Sequence, residues 1–248
     1  MRVLLATSDV TFVPRNHQPF FDTLFERVPQ HLAGLVLVRS LSARLLGTAA
    51  FLGAAGARQT ARTLVGNALS LRRDPREALC RDHGLPVLRA DSMNDEAIVD
   101  WVAANSIDVI ANVRTRSIYR RAILGAPRLG CLNIHHGILP RYRGVLCDLH
   151  ALLDGRPAGF TIHHMAPRVD AGNILVRRCV SAAHESSYAG YLARTGAVEG
   201  MALAELIAET ARAQRLPEGV ANQSTDPIYN RSPGLVDMWR MSHLGLGM

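Results

Sequence analysis

Val3-Leu4-Leu5-Ala6-Thr7-Ser8-Asp9 is a short apolar run that ends in polar residues, as in a strand buried on both faces of a parallel sheet. The next segment, 19–28, carries apolar residues at helical spacing, and Leu32–Val38 has the composition of a second buried strand. A strand, a helix and a strand in this order predict a βαβ unit. We therefore expect the chain to begin a layered α/β fold.

The same alternation continues to about residue 212. Further strands are predicted at 85–88, 107–111, 131–134, 159–165 and 174–180, and helices at 95–104, 120–125, 146–153 and 187–212. The Ala-, Leu- and Gly-rich stretch 40–79 predicts one or two more helices with a basic border. This order indicates an α/β fold with a Rossmann-like, doubly wound, mostly parallel sheet and helices on both faces. We expect one domain over 1–213 and an irregular C-terminal extension over 214–248 that packs on the domain or on a partner.

The composition is that of a globular protein: 248 residues, of which 48% are hydrophobic and 20% charged. A net charge of +7 favours anionic partners without choosing among them. The four cysteines are widely separated and form no CxxC pair, so we expect a reducing, cytoplasmic location. The longest later apolar run, 45–57, is shorter than the roughly 20 residues that cross a bilayer. We interpret it as a buried helix, with a homodimer contact or an interfacial helix as alternatives.

Two polar segments follow predicted strands, at the edge where such sheets bind ligands. The first is Asn133-Ile134-His135-His136-Gly137-Ile138-Leu139-Pro140-Arg141-Tyr142-Arg143-Gly144, in which Asn133 and His135 point the same way along a strand. The second, 161–172, places Asp170 in a tight turn. An amide, an imidazole and a carboxylate that converge suit acyl transfer to an amine, because they hold an oxyanion and move a proton. On residue type alone, three ordinary structural roles are the alternative.

The wording of both segments resembles the formyltransferase family, which includes methionyl-tRNA, glycinamide ribonucleotide and sugar N-formyltransferases. The resemblance rests on Asn-x-His-x-x-x-Leu-Pro from Asn133, Thr-x-His from Thr161 and Val-Asp-x-Gly-x-Ile-Leu from Val169, and covers roughly residues 1–180. The wording is most similar to that of the sugar-nucleotide N-formyltransferases. The resemblance implies 10-formyltetrahydrofolate as formyl donor and co-substrate, and Asn133, His135 and Asp170 as the catalytic triad. It also implies a small-molecule acceptor, the primary amine of an amino-sugar nucleotide or of a natural-product intermediate.

The resemblance further implies two sets of binding residues. The expected cofactor-binding residues are Arg114, Arg116, Ser117, Ile118, Leu139, Pro140, Arg168, Val169, Ala171 and Gly172. The expected substrate-binding residues are Ser8, Asn94, His136, Tyr142, Arg143, Gly144 and His163. For the cluster around Asn94, helix capping is the alternative.

The sequence departs from the family's wording at two places. Segment 112–117 is more polar and basic than the aromatic or apolar residues usual there, and Gly137 stands where a Ser is common. The arginines of that segment could serve an anionic ligand. The sequence also carries no counterpart of the RNA-binding C-terminal domain of methionyl-tRNA enzymes. We therefore expect no nucleic-acid partner.

Three alternatives compete with this interpretation. Histidine pairs at 135–136 and 163–164 invite a metal, but neighbours on a strand point to opposite faces, and we expect no metal site. Hydrolysis of 10-formyltetrahydrofolate by water is a second alternative, which formate release without an amine would reveal. A non-catalytic anion-binding scaffold with a degraded folate pocket is the third. The sequence does not identify the acceptor amine or the oligomeric state.

Overall fold

The structure is a computed structural model that describes residues 1–54, 57–115, 117–182, 185–244 and 246. Its strands are β1 (Val3–Ser8), β2 (Leu32–Val38), β3 (Val87–Ala90), β4 (Val109–Val113), β5 (Gly130–His135), β6 (Tyr142–Gly144), β7 (Gly159–His164), β8 (Ile174–Cys179) and β9 (Ile228–Asn230). Its helices are α1 (Gln18–Arg27), α2 (Ala43–Ala54), α3 (Arg58–Leu69), α4 (Pro75–Asp82), α5 (Glu96–Ala104), α6 (Arg121–Gly125), α7 (Cys147–Leu153), α8 (Tyr188–Ala213) and α9 (Leu235–His243).

A seven-stranded sheet forms the centre, in the order β3-β2-β1-β4-β5-β7-β8. The first five of these strands are parallel, whereas β7 and β8 are antiparallel to their neighbours. The chain runs outward from β1 to β3 and then returns to β4 on the other side of β1. Ligands bind at such a switch point, beyond the carboxyl ends of the strands. The predicted doubly wound, mostly parallel α/β fold is confirmed.

Side chains of β1 alternate between two hydrophobic clusters, one on each face of the sheet. Val3 and Leu5 pack in the cluster that α1 and α8 cover. Leu4 and Ala6 pack in the cluster that α5 and α6 cover. Because both faces are buried, the strand carries no polar alternation, which is why its sequence reads as a continuous apolar run.

The structure corrects two sequence-based expectations. Segment 40–79 contains α2, α3 and α4 rather than one or two helices. The expectation of an irregular extension after residue 213 is wrong, since this part contains β9 and α9. β9 is too short to show a period, and it exists because it pairs with β6. Helix α9 is held by Met241, which is buried in the same cluster as Leu149 of α7.

The apolar run 45–57 lies mainly in α2. Leu45 and Ala49 are buried against Leu64 of α3, as expected of a buried helix, whereas Phe51 is 49% exposed. Residues 55 and 56 lie outside the described part, and a homodimer contact through this helix stays a prediction. Across the described residues, every helix is too short or too polar to cross a bilayer.

The pairing of β6 with β9 requires a glycine at position 144. Gly144 has φ of 95°, and a Cβ atom there would lie 2.2 Å from the carbonyl oxygen of Asn230. We expect Gly144→Ala to lower the free energy of unfolding by about 3 kcal/mol, since backbone strain adds to the loss of strand pairing. Urea denaturation measures the change.

The matched control is Gly155→Ala. Gly155 also has a positive φ, 65°, but nothing lies within 4 Å of a Cβ atom built there. This variant should lower the free energy of unfolding only by the cost of backbone strain, about 1–2 kcal/mol. Equal losses in the two variants would show that the contact with Asn230 is unimportant.

Candidate active site

The three residues predicted to be catalytic lie together. Asn133 and His135 stand two positions apart at the carboxyl end of β5, and Asp170 lies in the loop between β7 and β8. Asp170 Oδ2 is 3.6 Å from His135 Nδ1. His163 on β7 is paired with Asn133 across the two strands and lies 3.7 Å from Asp170 through its Nε2 atom. The antiparallel return of β7 beside β5 thus brings the carboxylate to the imidazole.

The amide of Asn133 has a fixed orientation. Its Oδ1 accepts a hydrogen bond from Nδ2 of Asn112 at 2.8 Å, and its Nδ2 lies 3.1 Å from Nε2 of His163. His163 Nδ1 donates to the carbonyl oxygen of His164 at 2.7 Å, so in the neutral ring Nε2 is the acceptor. Asn133 Nδ2 carries a second N–H, and this residue is partly exposed. That second N–H is the group suited to hold an oxyanion.

The polar wording of segment 112–117 has a structural explanation. Thr115 Oγ1 donates to Asn112 Oδ1 at 2.6 Å, and Asn112 in turn donates to Asn133. Two polar residues at the end of β4 therefore orient the amide at the end of β5. Sequence reasoning noted this segment as a departure but did not find its contact with Asn133. Arg116, from the same segment, lies outside the described residues.

His135 is oriented by the backbone. Its Nε2 lies 2.8 Å from the carbonyl oxygen of Tyr142, which can only accept, so Nε2 carries the hydrogen. The nitrogen that gains or loses a proton is consequently Nδ1, which faces Asp170. Burial lowers the pKa of His135, and the neighbouring Asp170 opposes that shift. The ring is therefore neutral near pH 7 and able to accept a proton.

Asp170 remains charged. Burial alone would raise the pKa of Asp170, but a proton on His163 or His135 and the backbone N–H of Gly144 favour the anion and bring this pKa to about 2. The Gly144 N–H donates to Asp170 Oδ2 at 3.1 Å. A charged carboxylate beside a neutral imidazole stabilises the imidazolium that forms when the ring takes a proton.

Position 137 is compatible with glycine alone in this arrangement. A Cβ atom there would lie 2.4 Å from Cβ of Cys147 and 2.9 Å from Nε2 of His135. The space that a serine side chain would need is filled by Cys147. The departure at Gly137 thus accompanies a close packing of α7 against the catalytic imidazole.

A cavity of about 640 Å³ opens at the carboxyl ends of β1 to β4. Four predicted contact residues line it: Ser8, Asn94, Ser117 and Ile118. Asn94 fixes one wall, because its Nδ2 donates to the carbonyl oxygen of Ile118 at 2.9 Å and its Oδ1 accepts from the N–H of Arg120 at 2.7 Å. Asp95, not Asn94, stands at the N-cap position of α5, and its side chain makes no hydrogen bond to the helix.

The other residues predicted to bind the cofactor lie in two segments, one around Leu139 and one in the loop that carries Asp170. Leu139 is fully buried and donates its N–H to Thr161, and the Leu139-Pro140 peptide bond is cis. In the loop that carries Asp170, Val169 is 53% exposed and the Arg168 guanidinium donates to the Tyr229 hydroxyl at 3.1 Å. Ala171 and Gly172 complete this loop. Their contacts with a ligand stay predictions.

Three of the residues predicted to bind substrate make hydrogen bonds to other residues of the protein. Tyr142 is buried and its hydroxyl donates to Asp154 at 3.2 Å, and the guanidinium of Arg143 donates to Asn222 at 2.9 Å. The N–H of Gly144 donates to the Asp170 carboxylate. Binding of substrate by these three residues is not tested by the structure and stays a prediction.

A buried ionic network lies behind the triad, centred on Glu199 in the middle of α8. Glu199 lies 2.7 Å from His17 Nε2, 2.9 Å from His136 Nδ1 and 3.7 Å from Arg114, and Arg114 donates to the same His136 Nδ1 at 2.6 Å. Arg114 is the cation of this group, because burial lowers the pKa of both His17 and His136 and leaves their rings neutral near pH 7. Burial and Arg114 lower the pKa of His136 to about 3. Arg114 and His136, both predicted ligand contacts, are thus tied to a carboxylate that sequence reasoning missed.

Asp148 on α7 is a second buried carboxylate near this network. Its Oδ1 accepts from the Tyr188 hydroxyl at 2.9 Å and from the N–H of Leu149 at 2.8 Å. Burial raises the pKa of Asp148 to about 6, although Arg114 opposes the shift. Within the residues that the structure describes, no group of three or more His, Cys, Asp or Glu side chains is arranged to hold a metal ion.

Comparison with known proteins assigns the family. Residues 57–207 match the family model described as formyl transferase. The chain therefore belongs to the formyl transferase family, which confirms the resemblance seen in its two motifs.

Individual relatives match part of their length. The chain is 36% identical over 113 residues to a methionyl-tRNA formyltransferase of Methylobacillus flagellatus, covering 45% of this chain and 37% of that protein. It is 34% identical over 137 residues to the methionyl-tRNA formyltransferase of Halalkalibacterium halodurans, covering 54% and 43%. The match thus spans less than half the length of these relatives.

Solved structures share the fold. A phosphoribosylglycinamide formyltransferase from Anaplasma phagocytophilum superimposes with a TM-score of 0.63 at 14% identity, over 92% of this chain and 97% of that one. A sugar N-formyltransferase from Shewanella sp FDAARGOS_354 gives a TM-score of 0.60 at 16% identity, over 97% and 87%. At these identities the likeness concerns the fold alone.

The raised pKa of Asp148 predicts a pH-dependent stability difference. The folded-state pKa of about 6 exceeds the ordinary value of 3.8, so the folded protein holds this proton more tightly than the unfolded chain. The stability that this proton gives is complete below about pH 4 and is lost as the pH rises through about 6. Relative to Asp148→Asn, the wild type should lose up to roughly 3 kcal/mol across that window, at about 1.4 kcal/mol per pKa unit.

Urea denaturation of both proteins from pH 3.5 to 7.5 measures this difference. The variant keeps an oxygen that can accept from Tyr188 and Leu149 but cannot titrate. A difference in unfolding free energy that stays constant over the window would contradict the assignment of a buried, protonatable Asp148.

Proposed function

We propose that this protein is an N-formyltransferase that moves a formyl group from 10-formyltetrahydrofolate to a primary amine. The observation that carries the proposal is the contact of His135 with Asp170, beside the fixed amide of Asn133, in a chain of the formyl transferase family. An amide donor, a neutral base and a charged carboxylate are the groups that acyl transfer to an amine needs.

In the proposed reaction the neutral amine attacks the formyl carbon of the donor. A bond forms between the amine nitrogen and that carbon, and the second N–H of Asn133 stabilises the oxyanion. His135 Nδ1 takes the proton that the attacking nitrogen loses, while Asp170 stabilises the resulting imidazolium. The bond from the formyl carbon to the donor nitrogen then breaks, and the proton returns to that nitrogen.

Exposed apolar and cationic residues of the Asp170 loop and of the segment after β4 suit a reduced folate. The side chains of Val169 and Ile118 are 53% and 65% exposed and offer apolar surface for a pterin ring. Arg168, in the loop that carries Asp170, supplies a cation for the glutamate carboxylates of a folate. The donor itself would supply the activated formyl group.

We further propose an amino-sugar nucleotide as the acceptor. The lining of the cavity at the ends of β1 to β4 includes five serines and two arginines: Ser8, Ser40, Ser42, Ser92, Ser117, Arg39 and Arg120. Asp91 lies 3.2 Å from Arg39 in the same lining. Hydroxyl groups suit a sugar, and guanidinium groups suit a diphosphate. A natural-product intermediate with a primary amine is the other acceptor class that this lining admits.

We place the enzyme in the cytoplasm. Cys80, Cys131, Cys147 and Cys179 are widely separated in the sequence and form no CxxC pair, a cysteine usage typical of a reducing compartment. Fractionation of cells that express the chain tests this location, and recovery outside the cytoplasm would contradict it.

A direct test incubates the protein with 10-formyltetrahydrofolate and a panel of amines that includes amino-sugar nucleotides. Mass spectrometry should detect the gain of one formyl group on one amine. Formate release that does not need an amine would indicate hydrolysis instead. Failure to bind any reduced folate, measured by fluorescence titration, would exclude this donor.

Substitution of the proton-transfer residues should abolish turnover without unfolding the protein. We expect His135→Ala and Asp170→Asn to lower kcat by about 10²–10⁴-fold, the range for loss of a general base and its partner. The matched control is His83→Ala, at the exposed end of α4, which should leave kcat unchanged. Circular dichroism and thermal melting verify folding, and a fully active His135 or Asp170 variant would rule out this mechanism.

A further inference from the structure

The C-terminal segment 217–230 runs across the active-site loops. The carbonyl oxygen of Pro217 accepts from His164 at 2.8 Å, and Val220 pairs with Ile174 of β8. The N–H of Ile228 donates to the carbonyl oxygen of Arg141 at 2.7 Å, where β9 pairs with β6. This segment lies beyond residue 207, where the match to the family model ends. It therefore contacts both the loop that carries Asp170 and the strand that contacts His135.

Asn222, at the centre of this segment, is bound directly to the Asp170 loop. Its Nδ2 donates to the carbonyl oxygen of Asp170 at 2.9 Å and to that of Gly172 at 3.0 Å. The residue is 7% exposed. One side chain thus supplies both hydrogens of its amide to the two carbonyl groups on either side of Ala171.

The Asp170 backbone needs such support, because its φ of 50° lies in the left-handed region that an aspartate adopts at a cost. Two hydrogen bonds on the flanking carbonyl groups hold the loop in that conformation. With the backbone held, the carboxylate is aimed at His135 Nδ1 and at the N–H of Gly144.

Arg143 fixes the orientation of the Asn222 amide. Its guanidinium donates to the Asn222 carbonyl oxygen at 2.9 Å and to Oδ1 at 3.3 Å, which leaves Nδ2 to face the loop. Arg143 is itself buried on β6, between Tyr142, which accepts from His135, and Gly144, which donates to Asp170. The contacts form a closed ring from His135 through β6 and Asn222 to Asp170.

We propose that Asn222 is a positioning residue for the Asp170 carboxylate, so that the C-terminal segment completes the active site. The kinetic consequence rests on the proposed formyl transfer. The structural consequence does not, because Asn222 acts on the Asp170–His135 pair whatever the substrate is.

The first test compares Asn222→Ala with Asn173→Ala. Asn173, the last residue of the Asp170 loop, donates through Nδ2 to the carbonyl oxygen of Glu218 at 3.0 Å, so it also ties the segment to this loop but does not touch Asp170. We expect Asn222→Ala to lower kcat about 10-fold to 100-fold, with KM for the donor changed less than 3-fold, since misplacement of a catalytic group acts on the chemical step. Asn173→Ala should keep kcat within about 2-fold of wild type.

The second test measures the pKa of His135 by NMR titration of the imidazole in the same proteins. His135 faces one anion, Asp170, and two other titratable or cationic groups, His163 and Arg143. Of these three groups, only Asp170 favours the imidazolium. This stabilisation is lost when Asp170 moves away. The pKa of His135 in Asn222→Ala should therefore fall below the wild-type value, in the direction of Asp170→Asn, and stay unchanged in Asn173→Ala.

If Asn222→Ala does not fold, Asn222→Leu carries both tests, because it keeps a side chain of similar shape, has no hydrogen for the two carbonyl groups and adds no charge near His135. A wild-type His135 pKa in a folded Asn222 variant would overturn the proposal, and so would a kcat equal to that of Asn173→Ala. If the wild type transfers no formyl group to any amine, the proposed function fails, while the titration still decides the role of Asn222.

Discussion

The hydrogen bond between His135 Nε2 and the Tyr142 carbonyl oxygen is the interaction on which the rest of the site depends. It leaves Nδ1 as the nitrogen that titrates, toward Asp170. It also holds the short strand β6 beside the end of β5, where its Gly144 N–H reaches the Asp170 carboxylate. A single backbone carbonyl group thus determines both the tautomer of the base and the place where the C-terminal strand β9 can pair.

The fold was predictable because its signals are local. Apolar runs that end in polar residues mark strands buried on both faces, and Asn133 and His135 share a face whatever surrounds them. Asn222 and Glu199 could not be found in this way, since their partners lie far away in the chain. The sequence does contain a signal for Glu199, because its carboxylate interrupts the apolar face of α8 between Gly196 and Leu203. Nothing in the wording around Asn222 indicates its two carbonyl partners.

The buried network around Glu199 holds the loop after β1 next to the end of β5, because His17 and His136 both contact Glu199. Buried charges are costly unless each has a partner, and here the Arg114 guanidinium lies 3.7 Å from the Glu199 carboxylate, which His17 Nε2 also contacts. His136 belongs to this network while its neighbour His135 belongs to the triad, because successive side chains of an extended segment point to opposite sides. The long helix α8 therefore supports the catalytic strand from behind with polar contacts as well as apolar ones.

The sheet has two edge strands, β3 and β8, and both carry exposed arginines: Arg89 on β3, and Arg177 and Arg178 on β8. An uncovered edge offers free N–H and C=O groups to any other extended chain, and bulky cations there oppose such pairing. The residues 217–230 add a second barrier, because Val220 occupies the end of β8 nearest the active site. The segment that contacts the Asp170 loop thereby also covers one end of an edge that another extended chain could otherwise pair with.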